Sequence, residues 1–336
     1  IPRLLPRNLP EMRLKDISVL VPGRLNPHAL ERIRNEFTAV EIAAGDPALV
    51  DAEMAANVRG IAAMTLISPD LMRALPKLEI VANFGVGYDA VDSRHAGANR
   101  IMVTNTPDVL TEEVADTAIG LLLNTVRELS AAEAYLRAGN WSGKGNYRLT
   151  PLTLRGRTAG IFGMGRIGQA IATRLEAFGI AVHYHNRRKA EALAYTYHPT
   201  LAGMARAVDI LIVVVPGGEA TRHAVNAEVL SALGKSGVLI NIGRGSSVDE
   251  DALIAAMNNG VIAAAGLDVF ENEPNIRPEL LSLPNTVLLP HVGSASVHTR
   301  KAMGDLCVDN LVSWFSGKGA VTPVPETVHL QKAPDS

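Results

Sequence analysis

The stretch "AGIFGMGRIGQAIATRLEAFGIAVHYHNRR" (Ala159–Arg188) constrains this chain more than any other. A short apolar run meets Gly163, Gly165 and Gly168 at G-x-G-x-x-G spacing, and an apolar-periodic helical segment follows. Between a strand and a helix, that spacing forms the turn on which a dinucleotide pyrophosphate rests. Gly163 permits the tight turn, Gly165 lets the backbone approach the phosphates, and Gly168 lets helix and strand pack closely. The amides of Arg166 and Ile167, at the helix N-terminus, are the expected phosphate donors.

A site for NAD carries Asp or Glu at the end of the next strand, about 20 residues on, to hold the ribose 2′-hydroxyl. Here that strand, "AVHYH", ends at His185, and Asn186, Arg187 and Arg188 follow. An Asn removes the repulsion that a carboxylate exerts on a 2′-phosphate. Guanidinium groups pair with phosphate through charge and a fixed fork of donors. The expected cofactor is therefore NADP(H), with NADH binding poorly.

The β/α rhythm extends along the chain. "ISVLV", "AVEIA", "IAAMTLI" and "EIVANF" read as buried strands of a first series, and helical stretches lie between them. A long helical pattern runs over Thr111–Gly139, with Thr111 as its cap. A second series then contributes "AGIF", "AVHYH", "VDILIVVV", "GVLINI", "VIAAAGLDVF" and "TVLL". A last helix is expected from about Ala295 to Trp314, and the Pro-rich tail "AVTPVPETVHLQKAPDS" is expected to be extended. This pattern predicts an α/β fold of two doubly wound, Rossmann-like parallel-sheet domains.

Composition narrows the partners. The formal net charge of the 336 residues is -2 and no long block of like charge occurs, which argues against nucleic-acid or membrane-surface binding. No apolar run is long enough to span a bilayer. The N-terminal "IPRLLPRNLPEMRLKD" lacks a continuous apolar signal core. The expectation is a cytoplasmic protein. The single cysteine, Cys307, excludes a disulfide framework or thiolate cluster within one chain and reads as a core residue.

Three further segments carry chemistry. "INIGRGSSVDE" places Arg244 just past a strand, "AGLDVFENEP" places Asp268, Glu271 and Glu273 past the next, and "VLLPHVGSAS" places His291 past a third. In an open parallel sheet, ligands bind outside the carboxyl ends of the strands, so these segments face the crevice of the glycine turn. Val215, ending "VDILIVVV", Pro216 and Thr221 beyond it, and Ile242, ending "GVLINI", are further candidate cofactor contacts. An Arg, an acid and a His beside a nicotinamide suit one task. Arg binds a carboxylate and polarises a carbonyl, His supplies a proton, and the acid orients the His and favours its protonated form. No convincing metal set accompanies them. His183 and His185 alternate on the strand beside the cofactor turn as packing or ribose-side residues.

"NFGVGYDAVD", "TEEVAD", "GMGRIG", "NIGRGSSVDE", "GLDVFENEP" and "LPHVGSASVHTR" occur in this order from about Asn83 to Arg300. The set resembles the D-isomer-specific 2-hydroxyacid dehydrogenase family. Within it, "YHNRR" and "GLDVFENEP…LPHVGSAS…TRKAM" are most similar to the branch of NADPH-preferring glyoxylate/hydroxypyruvate reductases, with hydroxyphenylpyruvate reductases as close relatives. The resemblance implies Arg244 as the substrate arginine, Glu273 as the partner of the histidine, His291 as the proton donor and Asp268 at the nicotinamide amide. Glu271 is the rival of Glu273. The backbone amides of Val86 and Gly87 match the loop that binds the substrate carboxylate.

The family's fold implies a substrate (catalytic) domain formed by 1–106 with 292–336, an NADP-binding Rossmann domain over 107–291, and an active-site cleft between them. It also implies a homodimer built by the long helix. Trp141 is similar to a loop aromatic that lines the neighbouring subunit's site. Ser294 is a candidate substrate contact and Arg300 a supporting residue, while Leu66, Ile67 and Ser68, as the end of a first-domain strand, are expected to border the pocket. The activity implied is NADPH-dependent reduction of small 2-ketoacids, with hydroxyphenylpyruvate or another 2-ketoacid as the alternative. An NAD-linked D-lactate-type enzyme is opposed by Asn186-Arg187-Arg188, and a formate dehydrogenase by Glu273 and the motif set. The short tail opposes a regulated phosphoglycerate dehydrogenase. A dinucleotide-sensing corepressor is the reading from another class.

Overall fold

The computed structural model describes residues 13–331. Most of the N-terminal stretch without a signal core, and the last five residues of the tail, lie outside them. The chain divides into two compact units, Ile1–Leu110 with Val297–Ser336, and Thr111–Ser296. The family's fold implies borders at 106/107 and 291/292. The segment after His291 stays with the second unit because Asp268 accepts the amides of Val292 and Gly293 at 2.7 and 2.8 Å.

In the first unit, β1 (Ser18–Pro22), β2 (Thr38–Ile42), β3 (Val58–Ala63), β4 (Ile80–Asn83) and β5 (Met102–Thr104) form a parallel sheet in the order β2-β1-β3-β4-β5. This is the flavodoxin-like order. Every residue of β4 and β5 is buried, as expected of strands covered on both faces. The long helix Val297–Phe315 returns to this unit, and its Cys307 thiol, fully buried against the carbonyl of Ala82, is pushed up to about 12 by desolvation.

Three expectations for this unit need correction. "IAAMTLI" is a strand only to Ala63; Ile67 makes an isolated bridge to Val91 and is fully buried, Ser68 caps the helix Pro69–Arg73, and Leu66 stands exposed, as does Met64. β5 has no counterpart among the sequence strands. The described part of the tail is not simply extended. It bridges Thr104 antiparallel at Pro323 and ends in a 3-10 turn at Val328–Leu330.

In the second unit, β6 (Thr158–Phe162), β7 (Ala181–His185), β8 (Thr196–Tyr197), β9 (Ile210–Val213), β10 (Val238–Asn241), β11 (Ala264–Leu267) and β12 (Thr286–Leu288) form a parallel sheet ordered β12-β11-β10-β9-β6-β7-β8. Reversed and renumbered within the unit, that is the Rossmann order extended by one strand, with its switch point between β6 and β9. The register is level. Leu288, Leu267, Asn241, Val213, Phe162 and His185 pair successively across the sheet in one row. Each of these strands stops at or within a residue of that row. The core on one side gathers Phe162, Leu211, Val213, Leu239 and Leu267.

The long helical pattern is broken here. It forms Thr111–Arg127, Leu129–Arg137 and Asn140–Lys144. Glu128 sits in the left-handed region at φ 53°, where its carboxylate accepts the Tyr147 hydroxyl and pairs with Arg148. The Asn124 side chain accepts the Ser130 amide at 2.9 Å across the break. These are tertiary contacts that helical periodicity cannot report.

Candidate active site

The glycine turn leaves β6 at the switch point. Gly163 has φ 108°, and a Cβ there would lie 2.9 Å from the Val214 backbone. A Cβ on Gly168 would run into the Gly163 carbonyl, whereas one on Gly165 would meet nothing within 4 Å. Two glycines are thus fixed by protein packing and the middle one opens onto space. The helix Arg166–Ala177 starts at Gly165 without a side-chain cap, so its first turn presents amides outward, Ile167 among them. Such an N-terminus favours a phosphate.

Asn186 joins this turn. Its Oδ1 accepts the Met164 amide at 2.8 Å, and its own carbonyl accepts the Tyr197 hydroxyl at 3.3 Å. Arg187 and Arg188 are exposed and make no ion pair or side-chain hydrogen bond among the described residues. Two uncommitted guanidinium groups at the end of β7, with no acid in the sequence position that NAD requires, fit a 2′-phosphate. His183 and His185 turn to their neighbour instead. His183 Nδ1 lies 3.0 Å from His198 Nε2, and His185 Nδ1 donates to the His198 carbonyl at 2.8 Å. Burial first, then the adjacent imidazole, lowers His183 and His198.

Val215 and Ile242 are buried and floor the row: Val215 lies against Gly163 and Gly243, and Ile242 against Gly293. Pro216 is exposed, and Thr221 donates to the Pro216 carbonyl at 2.7 Å, closing that loop on itself.

Arg244 follows β10. Buried Asn241 shapes its turn, accepting the Gly243 amide at 3.1 Å and donating to the Arg244 carbonyl at 2.9 Å. A Cβ on Gly245 would strike the Phe270 backbone, so the Arg244 loop and the segment after β11 are pressed together. Glu250, also buried, accepts the Glu271 amide at 2.9 Å. Asn241 and Glu250 were not singled out from sequence. An Asn ahead of a Gly-rich turn was the available signal for Asn241.

The two candidate acids separate cleanly. Glu271 accepts Arg222 Nη2 and faces His223 Nε2, each at 2.8 Å. Glu273 Oε2 lies 2.6 Å from His291 Nδ1, and its Oε1 accepts the Phe270 amide at 2.9 Å. Burial alone would raise the Glu273 carboxyl. The His291 hydrogen bond, the Phe270 amide and the charges of His291 and Arg244 outweigh it and hold the group below its usual range. An ionised Glu273 fixes the proton on Nδ1 and leaves Nε2 facing away from it.

His291 itself has φ 53°, with its amide on the Asp268 carbonyl at 2.8 Å. Asp268 is 1% exposed, and both its carboxylate oxygens are taken by the Val292 and Gly293 amides. Burial raises its carboxyl despite those donors. Asp268 therefore clamps the His291 loop. Ser294, on the same loop, is buried. Thr117 donates to the Gly293 carbonyl at 3.2 Å, tying the loop to the helix Thr111–Arg127.

In the first unit, the Val86 and Gly87 loop follows β4. Asn83 Nδ2 donates to the Gly85 and Gly87 carbonyls at 3.1 and 3.0 Å, and Asn105 Nδ2 to the Val86 carbonyl at 2.8 Å. Among the described residues nothing accepts the amides of Val86 and Gly87. Carbonyls pinned and amides open fit an anion-binding loop. Arg300 stacks over Phe84 at 5.9 Å. Trp141 stands 61% exposed on the helix Asn140–Lys144, its Nε1 donating to Asn146.

A Rossmann sheet whose loops bring a glycine turn, an Arg, and a Glu-oriented His to one row defines a dinucleotide-dependent dehydrogenase. The chain belongs to the D-isomer specific 2-hydroxyacid dehydrogenase family, whose NAD binding domain matches residues 119–293. It is 51% identical over 254 residues to glyoxylate/hydroxypyruvate reductase A of Arabidopsis thaliana, covering 76% of this chain and 80% of that one. It is 49% identical over 255 residues to hydroxyphenylpyruvate reductase of Plectranthus scutellarioides, covering 76% and 81%. The crystal structure of an NADPH-dependent glyoxylate/hydroxypyruvate reductase from Sinorhizobium meliloti, in complex with NADP and malonate, superposes with a TM-score of 0.92. Its identity is 61%, over 96% of this chain and 100% of that one.

Proposed function

We propose that this chain reduces small 2-ketoacids, glyoxylate and hydroxypyruvate foremost, to D-2-hydroxyacids with NADPH. The observation that carries the reading is the His291–Glu273 pair at 2.6 Å, with Arg244 near enough to act on the Glu273 charge. Bound on the glycine turn, NADPH supplies a hydride to the ketoacid C2. Arg244 steadies the negative charge that gathers on the carbonyl oxygen. His291 gives its Nε2 proton to that oxygen, and Glu273 holds the ring through Nδ1. The amides of Val86 and Gly87 hold the ketoacid carboxylate. Asp268 keeps the His291 loop in place through its two backbone bonds.

NADPH is favoured by what stands after β7. Arg187 and Arg188 meet the 2′-phosphate, and Asn186 brings no carboxylate to oppose it. A cytoplasmic setting accords with a chain that holds one cysteine and no disulfide. Among the described residues no helix is long and apolar enough to cross a membrane. The partner is a second copy of this chain. Leu129, Leu136, Trp141 and Leu149 lie 51–94% exposed within one short stretch, as a dimer face would require before assembly. Sedimentation should give twice the chain mass, and Leu136→Ser with Trp141→Ser should shift it toward the monomer.

The deciding test is NADPH or NADH oxidation with glyoxylate, hydroxypyruvate, pyruvate and 4-hydroxyphenylpyruvate. Fast NADPH oxidation with the small acids is expected. A preference for the aryl acid would move the substrate assignment to the hydroxyphenylpyruvate branch. No turnover with any of them, despite NADPH binding, would sink the reductase reading.

A further inference from the structure

The loop bearing Val86 and Gly87 is held by side chains from distant parts of its own unit. A peptide group is planar, so the Val86 carbonyl and the Gly87 N–H turn as one body. Asn105 Nδ2, bonded to that carbonyl at 2.8 Å, therefore sets where the Gly87 amide points. Asn105 is anchored in turn by the chain that follows the last long helix. Its carbonyl accepts Thr322 Oγ1 at 2.7 Å, and its amide donates to the Thr322 carbonyl at 3.3 Å. Fully buried Asn310 fixes Thr322, donating to its Oγ1 at 2.8 Å and accepting its amide at 2.9 Å. Beside Gly87, the Tyr88 hydroxyl donates to Glu326 Oε2 at 3.1 Å. Burial first, then the Glu326 charge, pushes that phenol up to about 12, so it stays a donor in any physiological medium.

We propose that the segment 320–331 is part of the substrate-binding apparatus: through Asn105 and the Tyr88–Glu326 bond it aims the Gly87 amide at the substrate carboxylate. Asn105 is the central positioning residue. The proposal rests on the reading of Val86 and Gly87 as the carboxylate loop. It differs from a plain structural role in what it protects. Loosening one peptide plane weakens the grip on an anion and leaves cofactor binding alone.

The test is steady-state kinetics of the full chain at saturating NADPH, with hydroxypyruvate as substrate and malonate as a competing dicarboxylate. NADPH affinity is followed separately by fluorescence. Asn105→Ala should raise the hydroxypyruvate KM and the malonate inhibition constant together, by about 3- to 10-fold, the worth of one hydrogen bond. kcat and NADPH affinity should stay near those of the unaltered protein. Tyr88→Phe and Glu326→Ala should give equal, smaller rises, and Glu326→Gln should restore the KM, because its amide oxygen still accepts the hydroxyl. Tyr88→Phe removes a single oxygen and carries the test should Asn105→Ala fail to fold. If KM stays unchanged in these variants while Arg244→Lys raises it, the activity stands and the positioning role falls. A KM that rises in step with a loss of NADPH affinity would also overturn it, as general loosening. An unaltered protein that reduces no ketoacid overturns both readings at once.

Discussion

Single residues divide the labour at the site, and each can be tested alone. Removing His291 as alanine should lower turnover about 10²–10⁴-fold, the usual cost of losing a general acid, with NADPH affinity retained. Near-normal turnover would remove it from the mechanism. Arg187→Ala with Arg188→Ala should weaken NADPH by about 10- to 100-fold, as expected for lost charge-assisted bonds, and leave NADH almost untouched. Equal losses for both cofactors would refute the 2′-phosphate assignment. Glu273 gives a pH signature. Its folded-state value lies below the unfolded one, so its stabilising contribution is complete above the ordinary glutamate range. It is lost as pH falls through the lower, folded-state value. Urea unfolding of Glu273→Gln and the unaltered protein should therefore differ most near neutrality and converge in acid. A gap that widened on acidification would contradict the pairing with His291. The choice of Glu273 over Glu271 was legible only through family resemblance. Both acids follow β11 within a few residues, and only the fold shows Glu271 spoken for by Arg222 and His223.

Elements were legible where they repeat. Ten of the strands announced themselves as apolar runs; β8, at two residues, is too short to show a period, and β5 was missed although β12, equally short, was read. The break at Glu128 was hidden because Leu129–Arg137 continues a good helical pattern. What ends the first helix is Glu128's own partners, Tyr147 and Arg148, which come from the loop beyond. The glycine turn was legible from its spacing between an apolar run and a helical pattern, and two of its three glycines, Gly163 and Gly168, answer a local steric demand. That demand makes Gly168→Ala informative. Its methyl would push against the Gly163 carbonyl and part the helix from β6. We expect about 1–3 kcal/mol lost in thermal or urea unfolding, the usual cost of overpacking, together with weaker NADPH binding. An unchanged melting temperature would mean that the helix can slide to make room.

Across the whole molecule, the groups proposed to hold NADPH belong to the second unit. A ligand present at 100 times its Kd stabilises the state that binds it by about 2.7 kcal/mol. Hydrogen exchange should then slow most in β6, β7, β9 and the helix Arg166–Ala177 when NADPH is added. Slowing spread evenly over β1–β5 as well would point to a different binding mode. The two-sheet plan was readable from the β/α alternation. The tail's return to β5 was not, because Thr322, Pro323 and Glu326 act by pairing with residues about two hundred positions away, which no local pattern encodes.

The level row of strand ends in the second sheet has a consequence for how such a protein changes over time. The basic pair proposed to choose the cofactor hangs from β7, the proposed substrate arginine from β10, the acid that holds the histidine from β11 and the proposed proton donor from β12, all rooted at one height. Each root is held by strand pairing that owes nothing to the loop above it. A lineage can therefore rewrite the loop after β7, exchanging a basic pair for an acid, while the interlocked loops after β10, β11 and β12 keep their aim. New specificities can be tried one at a time on an unmoved ledge.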